Sequence, residues 1–198
     1  MINGYIPAAR FLPFLSWTDV AALPDKSNTV IVLPTGAIEQ HGPHLPCSVD
    51  SVISSGVAGH ALARLPATIP AYAIPPIVYG KSEEHLHFPG TLTLSGDTLL
   101  HTLLEIAESL YRAGFRKLLM INGHGGQPQI LQIACREMRL RHGDFIAIPH
   151  DVFNVPNCEK QFLSPHEQRM AMHAGHSETA LMPVSYTHLR AHETGRNL

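Results

Sequence analysis

The chain has 198 residues, of which 44% are hydrophobic and 15% charged, a composition typical of a globular domain with a substantial core. The net charge of −2 argues against a nucleic-acid-binding surface, and the apolar runs are too short to span a bilayer. Three cysteines without a CxxC spacing fit a reducing, cytoplasmic compartment: Cys47, Cys135 and Cys158. The N-terminal segment lacks the pattern of a signal peptide.

The first half of the chain contains two extended segments and one helical pattern. Residues 29–34 (TVIVLP) are apolar and β-branched, and they predict a short buried strand. Apolar residues recur at helical spacing over 49–65, which predicts a helix. The segment 67–80 is extended and rich in proline, so we expect an edge strand or a strand with irregular ends.

The clearest helix of the chain is predicted over residues 95–114. Ser95 or Asp97 can cap its start, and Gly114 is a typical C-terminal stop. One apolar stripe runs along the segment through Leu99, Leu103, Ile106 and Leu110.

The same alternation continues downstream. Residues 117–122 and 145–149 predict two more buried strands, and 127–143 predict a helix with Pro128 in its first turn. Strands that alternate with helices favour an α/β fold, in which helices cover both faces of a mostly parallel sheet.

Two of the predicted strands end in polar turns rich in histidine and glycine. The strand 29–34 leads into EQHGPH, and the strand 117–122 leads into GHGG. Because ligands bind at the carboxyl ends of parallel strands, these distant segments are predicted to share one pocket.

The polar segments contain side chains suited to a divalent metal. Carboxylate and imidazole ligands bind Zn²⁺, Mn²⁺ or Fe²⁺, and two ions can be held if one carboxylate bridges them. Each segment alone is explained more simply as a solvated turn or an exposed helical segment. Their coincidence at strand ends favours a metal site, for which the candidates are Glu39, His41, Asp50, His124, His173 and Glu178.

Several motifs follow one another over residues 30–183: EQHGPHLP, Asp50, YGKSEEHLHFPGT, NGHGG and HAGxxET. In this order they resemble the creatininase family of metal-dependent amidohydrolases. The resemblance implies a three-layer α/β/α sandwich and a centre of two divalent ions per chain, zinc, manganese or iron. It also implies a homo-oligomer, such as a hexamer, that hydrolyses a non-peptide C–N bond of a small molecule, a cyclic amide or formamide, by a metal-activated hydroxide.

The same resemblance implies roles for individual residues. The metal ligands would be Glu39, His41, Asp50 and His124, with Asp50 as the bridge. Glu178 is the candidate for the remaining ligand and for a catalytic carboxylate, and His173 is the candidate proton-transferring residue. Contact with substrate, support of a ligand and plain packing all stay open for His85 and His87.

One position departs from the pattern of true creatininases. These carry a glutamate ligand two residues after the NGH histidine, where this chain has Gly126. Either Glu178 completes the second metal, or that metal is held more weakly. The departure argues against creatinine as the substrate, and it moves the prediction toward deformylases and proteins of peptide-cofactor maturation. A small-peptide metallopeptidase and a non-catalytic metal-binding or assembly module of the same fold are the alternatives.

The C-terminal segment 184–198 does not continue the family pattern. Its sequence VSYTHLRAHET resembles a translated sequencing adapter. We therefore expect a creatininase-like domain over 1–183, incomplete at its C-terminus, followed by an artefactual tail, with a genuine polar tail as the alternative. A chain of this kind is expected to be poorly stable or inactive, and its His188 and His192 do not count toward the site.

Overall fold

The computed structural model describes residues 2–155, 161–170 and 173–185, without the side chains of 183–185. Over these residues the chain forms six α-helices and four strands, in the order α1 (Trp17–Ala22), β1 (Val30–Thr35), α2 (Val49–Arg64), β2 (Ala71–Ala73), α3 (Gly96–Arg112), β3 (Lys117–Asn122), α4 (Pro128–Arg141), β4 (Ile146–Asp151), α5 (Pro165–Met170) and α6 (His176–Ser185). Within this part of the chain, no helix has the length and apolar character needed to cross a membrane.

The four strands form one parallel sheet in the order β2-β1-β3-β4. Val30 of β1 pairs with Ala71 on one side and with Lys117 on the other, and Lys117 pairs with Ile146 of β4. The Pro-rich segment provides the edge strand β2, as predicted. Because all strands run in one direction, their carboxyl ends lie at a single edge of the sheet, as the sequence pattern required.

Alternate residues of β1 point into two separate hydrophobic cores. Ile31 and Leu33 pack in the first core with residues of α3 and α4. Val32 packs in the second with residues of α2 and with Met182 of α6. The sheet therefore lies between two helical layers, which confirms the predicted three-layer α/β/α fold.

The helix α3 agrees closely with its sequence pattern. The Ser95 hydroxyl accepts a hydrogen bond from the Thr98 amide at 3.2 Å and caps the first turn. Beyond the last turn, Gly114 has a φ of +98°, a left-handed conformation that favours glycine and ends the helix. The predicted stripe lies against the sheet, where Leu99, Leu103 and Leu110 are buried.

The prediction that β4 is a buried strand is wrong. Ile146 and Ile148 point to the same face of the sheet and are 46% and 52% exposed. The helix α2 covers this face over β1, β2 and β3, whereas β4 packs on α4 through its opposite face. An apolar run shows that a strand can be buried, but the position of the neighbouring helix decides whether it is.

Parts of the predicted C-terminal organisation lie outside the described residues. This applies to Cys158 and to residues 186–198, which include His188 and His192. Residues 184 and 185, the first of the predicted tail, continue the helix α6.

Candidate metal centre

The segment after β1 carries Glu39 and His41 into the interior. The Glu39 amide donates a hydrogen bond to the Cys47 carbonyl oxygen at 2.9 Å, and His41 forms an isolated antiparallel bridge with Leu45. This short loop returns the chain to α2, whose first turn contains Asp50. Glu39, His41 and Asp50 are each at most 1% exposed. Such complete burial is unusual for carboxylate and imidazole side chains.

The NGHGG turn after β3 is held by the buried side chain of Asn122. Its Nδ2 donates to the His124 carbonyl oxygen at 2.7 Å and also to Asp151 at the end of β4. Its Oδ1 accepts hydrogen bonds from the His124 amide at 3.3 Å and from Gln127 Nε2 at 3.0 Å. Asn122 therefore fixes the turn that presents His124 at the sheet edge.

Close approach between this turn and α2 depends on Gly123. A Cβ atom at this position would collide with the backbone carbonyl of Asp50. The Gly123 amide donates to the Thr35 carbonyl oxygen at the end of β1, at 2.9 Å. The glycine thus lets the first turn of α2 lie against the ends of two strands.

The carboxylate of Asp50 lies between two histidines. Its Oδ1 is 2.9 Å from His41 Nε2, and its Oδ2 is 2.9 Å from His124 Nδ1. The other ring nitrogens donate to backbone carbonyl oxygens, His41 Nδ1 to Glu39 at 3.1 Å and His124 Nε2 to Lys81 at 2.7 Å. Such backbone contacts orient an imidazole so that its remaining nitrogen can bind a metal.

The electrostatics of these groups are those of a site that holds positive charge. Burial alone would lower the pKa of His41, but its contacts with Asp50, Glu178 and the Glu39 carbonyl together outweigh burial and raise the pKa to about 10. Burial would also lower the pKa of His124, but Asp50 and Glu39 together raise it to about 10. Burial would raise the pKa of the Asp50 and Glu178 carboxyls, but the adjacent imidazoles lower it. The imidazoles and the carboxylates therefore stabilise each other's charged forms.

Glu39 is surrounded by imidazole rings. Its Oε1 lies 3.3 Å from His124 Nδ1, 3.5 Å from His173 Nδ1 and 3.9 Å from His85 Nε2. Its Oε2 is buried and has no hydrogen-bond partner among the described residues. A buried carboxylate oxygen is costly to leave unpaired, and a cation would satisfy it.

Glu178 and His173 approach from the C-terminal part of the described chain. Glu178 is buried, and its Oε1 lies 3.6 Å from His41 Nε2. His173 Nε2 donates to the Gln40 carbonyl oxygen. The His173 ring stacks on His85, with 4.4 Å between ring centroids, and its side chain is 25% exposed. The structure thus brings all six predicted candidates to one place.

The two histidines of the HLHFPGT turn differ in position. His85 Nδ1 lies 3.1 Å from Gln40 Nε2, so His85 belongs to the border of the site. His87 is exposed and takes part in none of the acidic and histidine clusters formed by the described residues. The Thr91 hydroxyl of the same turn accepts a hydrogen bond from the Gln40 amide at 3.4 Å.

Glu84 also lies at the site, although it was not among the residues predicted from the sequence. The carboxylates of Glu84 and Glu39 and the ring of His124 form a cluster. Their ligand atoms all lie within 4.8 Å of one another. The sequence context of Glu84, a run of charged residues, is typical of a solvated surface. Gly126 was the sequence feature that could have indicated Glu84. A glutamate ligand is missing at position 126, so another carboxylate could replace it.

These residues fit a divalent cation. Ligand atoms of Glu39, His41 and Asp50 lie within 4.8 Å of one another, and so do those of His41, His173 and Glu178. Asp50 Oδ2 and Glu178 Oε2 are two further buried carboxylate oxygens without a hydrogen-bond partner in the described part of the chain. Mixed oxygen and nitrogen donors suit zinc, manganese and iron.

Known proteins share this sequence pattern and fold. The model of the family described as Creatininase: Creatinine amidohydrolase matches residues 14–194. A mycofactocin precursor peptide peptidase of Mycolicibacterium smegmatis is 34% identical over 155 residues, 77% of this chain and 56% of the relative. A creatinine amidohydrolase of Pseudomonas putida is 34% identical over 138 residues, 65% of this chain and 52% of the relative.

The chain therefore spans just over half the length of these two relatives. Among solved structures, one named "Creatininase Mn" matches with a TM-score of 0.74 and 31% identity, covering 90% of this chain and 73% of that one. The family model covers most of the chain, and the fold and the order of the motifs agree with it. The chain belongs to the creatininase family of hydrolases.

Proposed function

We propose that the protein is a metal-dependent hydrolase of amide C–N bonds that binds two divalent ions per chain. The observation that carries this proposal is the position of Asp50, whose two carboxylate oxygens each lie 2.9 Å from a different histidine. A carboxylate that faces two imidazoles in this way is suited to bridge two ions. Such paired ions are common in enzymes that hydrolyse amides and esters.

The proposed ligands fall into two groups that share Asp50. Glu39 and His124 would hold one ion, and His41 and Glu178 would hold the other. The unpaired buried oxygens of Glu39 and Glu178 support this division, because each group then gains the cation that its carboxylate lacks. Zinc, manganese and iron all fit the ligand types, so metal-loading experiments are needed to identify the metal.

When bound there, divalent ions would supply a nucleophile at neutral pH and would stabilise negative charge on the amide oxygen. The protein must also protonate the departing nitrogen. We assign this role to His173, because the hydrogen bond from its Nε2 to Gln40 fixes the ring and leaves Nδ1 turned toward Glu39. The side chain is partly exposed, so a substrate can reach it. Imidazole is the commonest general acid in enzymes.

Two substrate classes suit this chemistry. The first is a non-peptide amide of a small molecule, a cyclic amide or formamide, and the relative from Pseudomonas putida is named a creatinine amidohydrolase. The second is a short peptide, which is favoured by the similarity to a mycofactocin precursor peptide peptidase. Both require the same attack on an amide carbonyl, and they differ only in the shape of the bound molecule.

The test combines metal analysis with a substrate panel. The protein is loaded with Zn²⁺, Mn²⁺ or Fe²⁺, and metal per chain is measured by elemental analysis. Hydrolysis of creatinine, formamides, other cyclic amides and short peptides is then followed by mass spectrometry. We expect close to two ions per chain and turnover of one class, lost in the His173→Ala variant. Folded protein that binds two ions and hydrolyses neither class would instead favour a non-catalytic metal-binding module.

A further inference from the structure

The space beside Gly126 is occupied by the side chain of Glu84, which comes from another segment of the chain. A Cβ atom on Gly126 would lie inside contact distance of the Glu84 carboxylate Oε1, 2.5 Å from His124 Nε2 and 2.8 Å from the Lys81 carbonyl oxygen. The carboxylate of Glu84 therefore stands where a side chain at position 126 would begin. The glycine leaves room for an acidic group that arrives from another segment.

The two oxygens of Glu84 face different groups. Oε2 lies 3.6 Å from Lys81 Nζ at the protein surface, and Oε1 lies 3.7 Å from His124 Nε2 on the inner side. The side chain is 39% exposed, so it retains freedom to turn. Its ligand atom already lies within 4.8 Å of those of Glu39 and His124.

Two observations indicate that this arrangement is more than a surface charge cluster. Glu39, the other carboxylate of the cluster, is 1% exposed and has a buried oxygen, Oε2, that no described residue satisfies. In addition, the Lys81 carbonyl accepts a hydrogen bond from His124 Nε2 at 2.7 Å. The segment that carries Glu84 is thus fastened to Nε2 of the imidazole whose Nδ1 we place on the metal, so the Glu84 carboxylate must turn from Nε2 toward Glu39 to reach the ion.

We propose that Glu84 is a further ligand of the ion held by Glu39, Asp50 and His124, and that Gly126 is required to admit its carboxylate. This inference rests on the proposed two-ion site. It differs from the assignment of Glu178, which lies near His41 on the other side of Asp50. The ion on the Glu39 side would then have two carboxylates of its own, Glu39 and Glu84, in addition to the shared Asp50, and the other ion would have Glu178.

Glu83 provides a matched control. It lies in the same short 3₁₀ turn, Glu83–His85, and its Oε2 is 3.2 Å from Lys81 Nζ. It belongs to none of the clusters of ligand atoms in the described chain. Glu83→Gln therefore removes the same charge from the same turn without removing a proposed ligand.

The experiment measures metal affinity by competition with a chromophoric chelator for the wild type, Glu84→Gln, Gly126→Ala and Glu83→Gln. We expect Glu84→Gln and Gly126→Ala each to weaken one of the two ions by at least about tenfold, since even groups that only support a ligand cost that much. Gly126→Ala should weaken that ion at least as much as Glu84→Gln does, because its Cβ would also meet His124 Nε2 and the Lys81 carbonyl oxygen. Glu83→Gln should bind both ions as the wild type does.

The other outcomes are distinguishable. Wild-type affinity for both ions in Glu84→Gln would overturn this inference and leave the two-ion site intact. Equal weakening in Glu84→Gln and Glu83→Gln would also overturn it, because the effect would then be one of net charge. Wild-type protein that binds no ion would overturn both this inference and the proposed function. Since Glu84 is exposed, Glu84→Gln should fold even if the added Cβ of Gly126→Ala strains the turn.

Discussion

The imidazole of His41 and the carboxylate of Asp50 face each other at 2.9 Å where both residues are almost completely buried. The other ring nitrogen of His41 already donates to a backbone carbonyl. The nitrogen that faces Asp50 must therefore carry a proton or share a cation with it. This relationship makes Asp50 the most informative residue to change.

Replacement of Asp50 by asparagine should remove the proposed bridge while keeping the volume of the side chain. We expect fewer than two ions per chain and a loss of affinity above about 100-fold, since a direct ligand should matter more than its supporting groups. The measurement is elemental analysis after dialysis. Asp97 is the control, because it also lies in the first turn of a helix but is exposed. Asp97→Asn should leave metal content unchanged, and full metal content in Asp50→Asn would exclude Asp50 as the bridge.

His173→Ala should separate catalysis from metal binding. If His173 transfers a proton, we expect metal content to stay at the wild-type value while kcat falls by about 10²–10⁴. Elemental analysis and steady-state kinetics on whichever substrate of the panel is hydrolysed provide the two readouts. The control is His176→Ala, because the His176 side chain is 78% exposed and contacts Glu167 instead. Loss of one ion in His173→Ala would show that this ring is a ligand.

Removal of metal should lower the thermal stability of the protein. Metal at about 100 times its dissociation constant adds about 2.7 kcal/mol to the free energy of unfolding. For a domain of this size, that gain corresponds to a rise in Tm of about 5–11 °C. Differential scanning calorimetry with and without a chelator measures the shift. An equal shift in Asp50→Asn would mean that the stabilising ion binds elsewhere.

Cys135 should be unreactive in the folded protein. Burial in the first core raises the pKa of its thiol to about 12. Because the thiolate is the reactive form, only about one thiol in ten thousand would be ionised at pH 8, and reactivity should rise with pH. Titration with an aromatic disulfide at pH 8 should therefore give the same thiol count in the wild type and in Cys135→Ala. The count should differ by one after denaturation, and a difference in the folded state would contradict the burial.

The layers of the fold could be predicted because their signals are local. The stripe of leucines and the Ser95 cap define α3 within a single segment, and short apolar runs define the strands. The exposure of Ile146 and Ile148 could not be predicted in this way, because it depends on where α2 ends on the sheet. Whether a strand is buried depends both on the strand and on the helix that covers it. A short run of sequence describes only the strand.

The candidate site shows the same division. Glu39, His41 and His124 follow apolar strands directly, so the topology of a parallel sheet was enough to bring them together. Glu84 was missed because its approach to His124 depends on the contact between this ring and the Lys81 carbonyl, 43 positions away along the chain. Two adjacent glutamates in a polar turn, Glu83 and Glu84, give no indication of that contact.

The hydrogen bonds around Asn122 also bear on how the protein ages. Asn122 precedes a glycine, and an Asn–Gly pair deamidates readily when the glycine amide is free to attack the asparagine side chain. Here that amide is bound to the Thr35 carbonyl oxygen, and the Asn122 side chain is held by His124, Gln127 and Asp151. The native fold thus protects the Asn122 side chain from deamidation, and unfolding removes this protection. Conversion to aspartate would place a new negative charge beside Asp151 and next to the turn that presents His124.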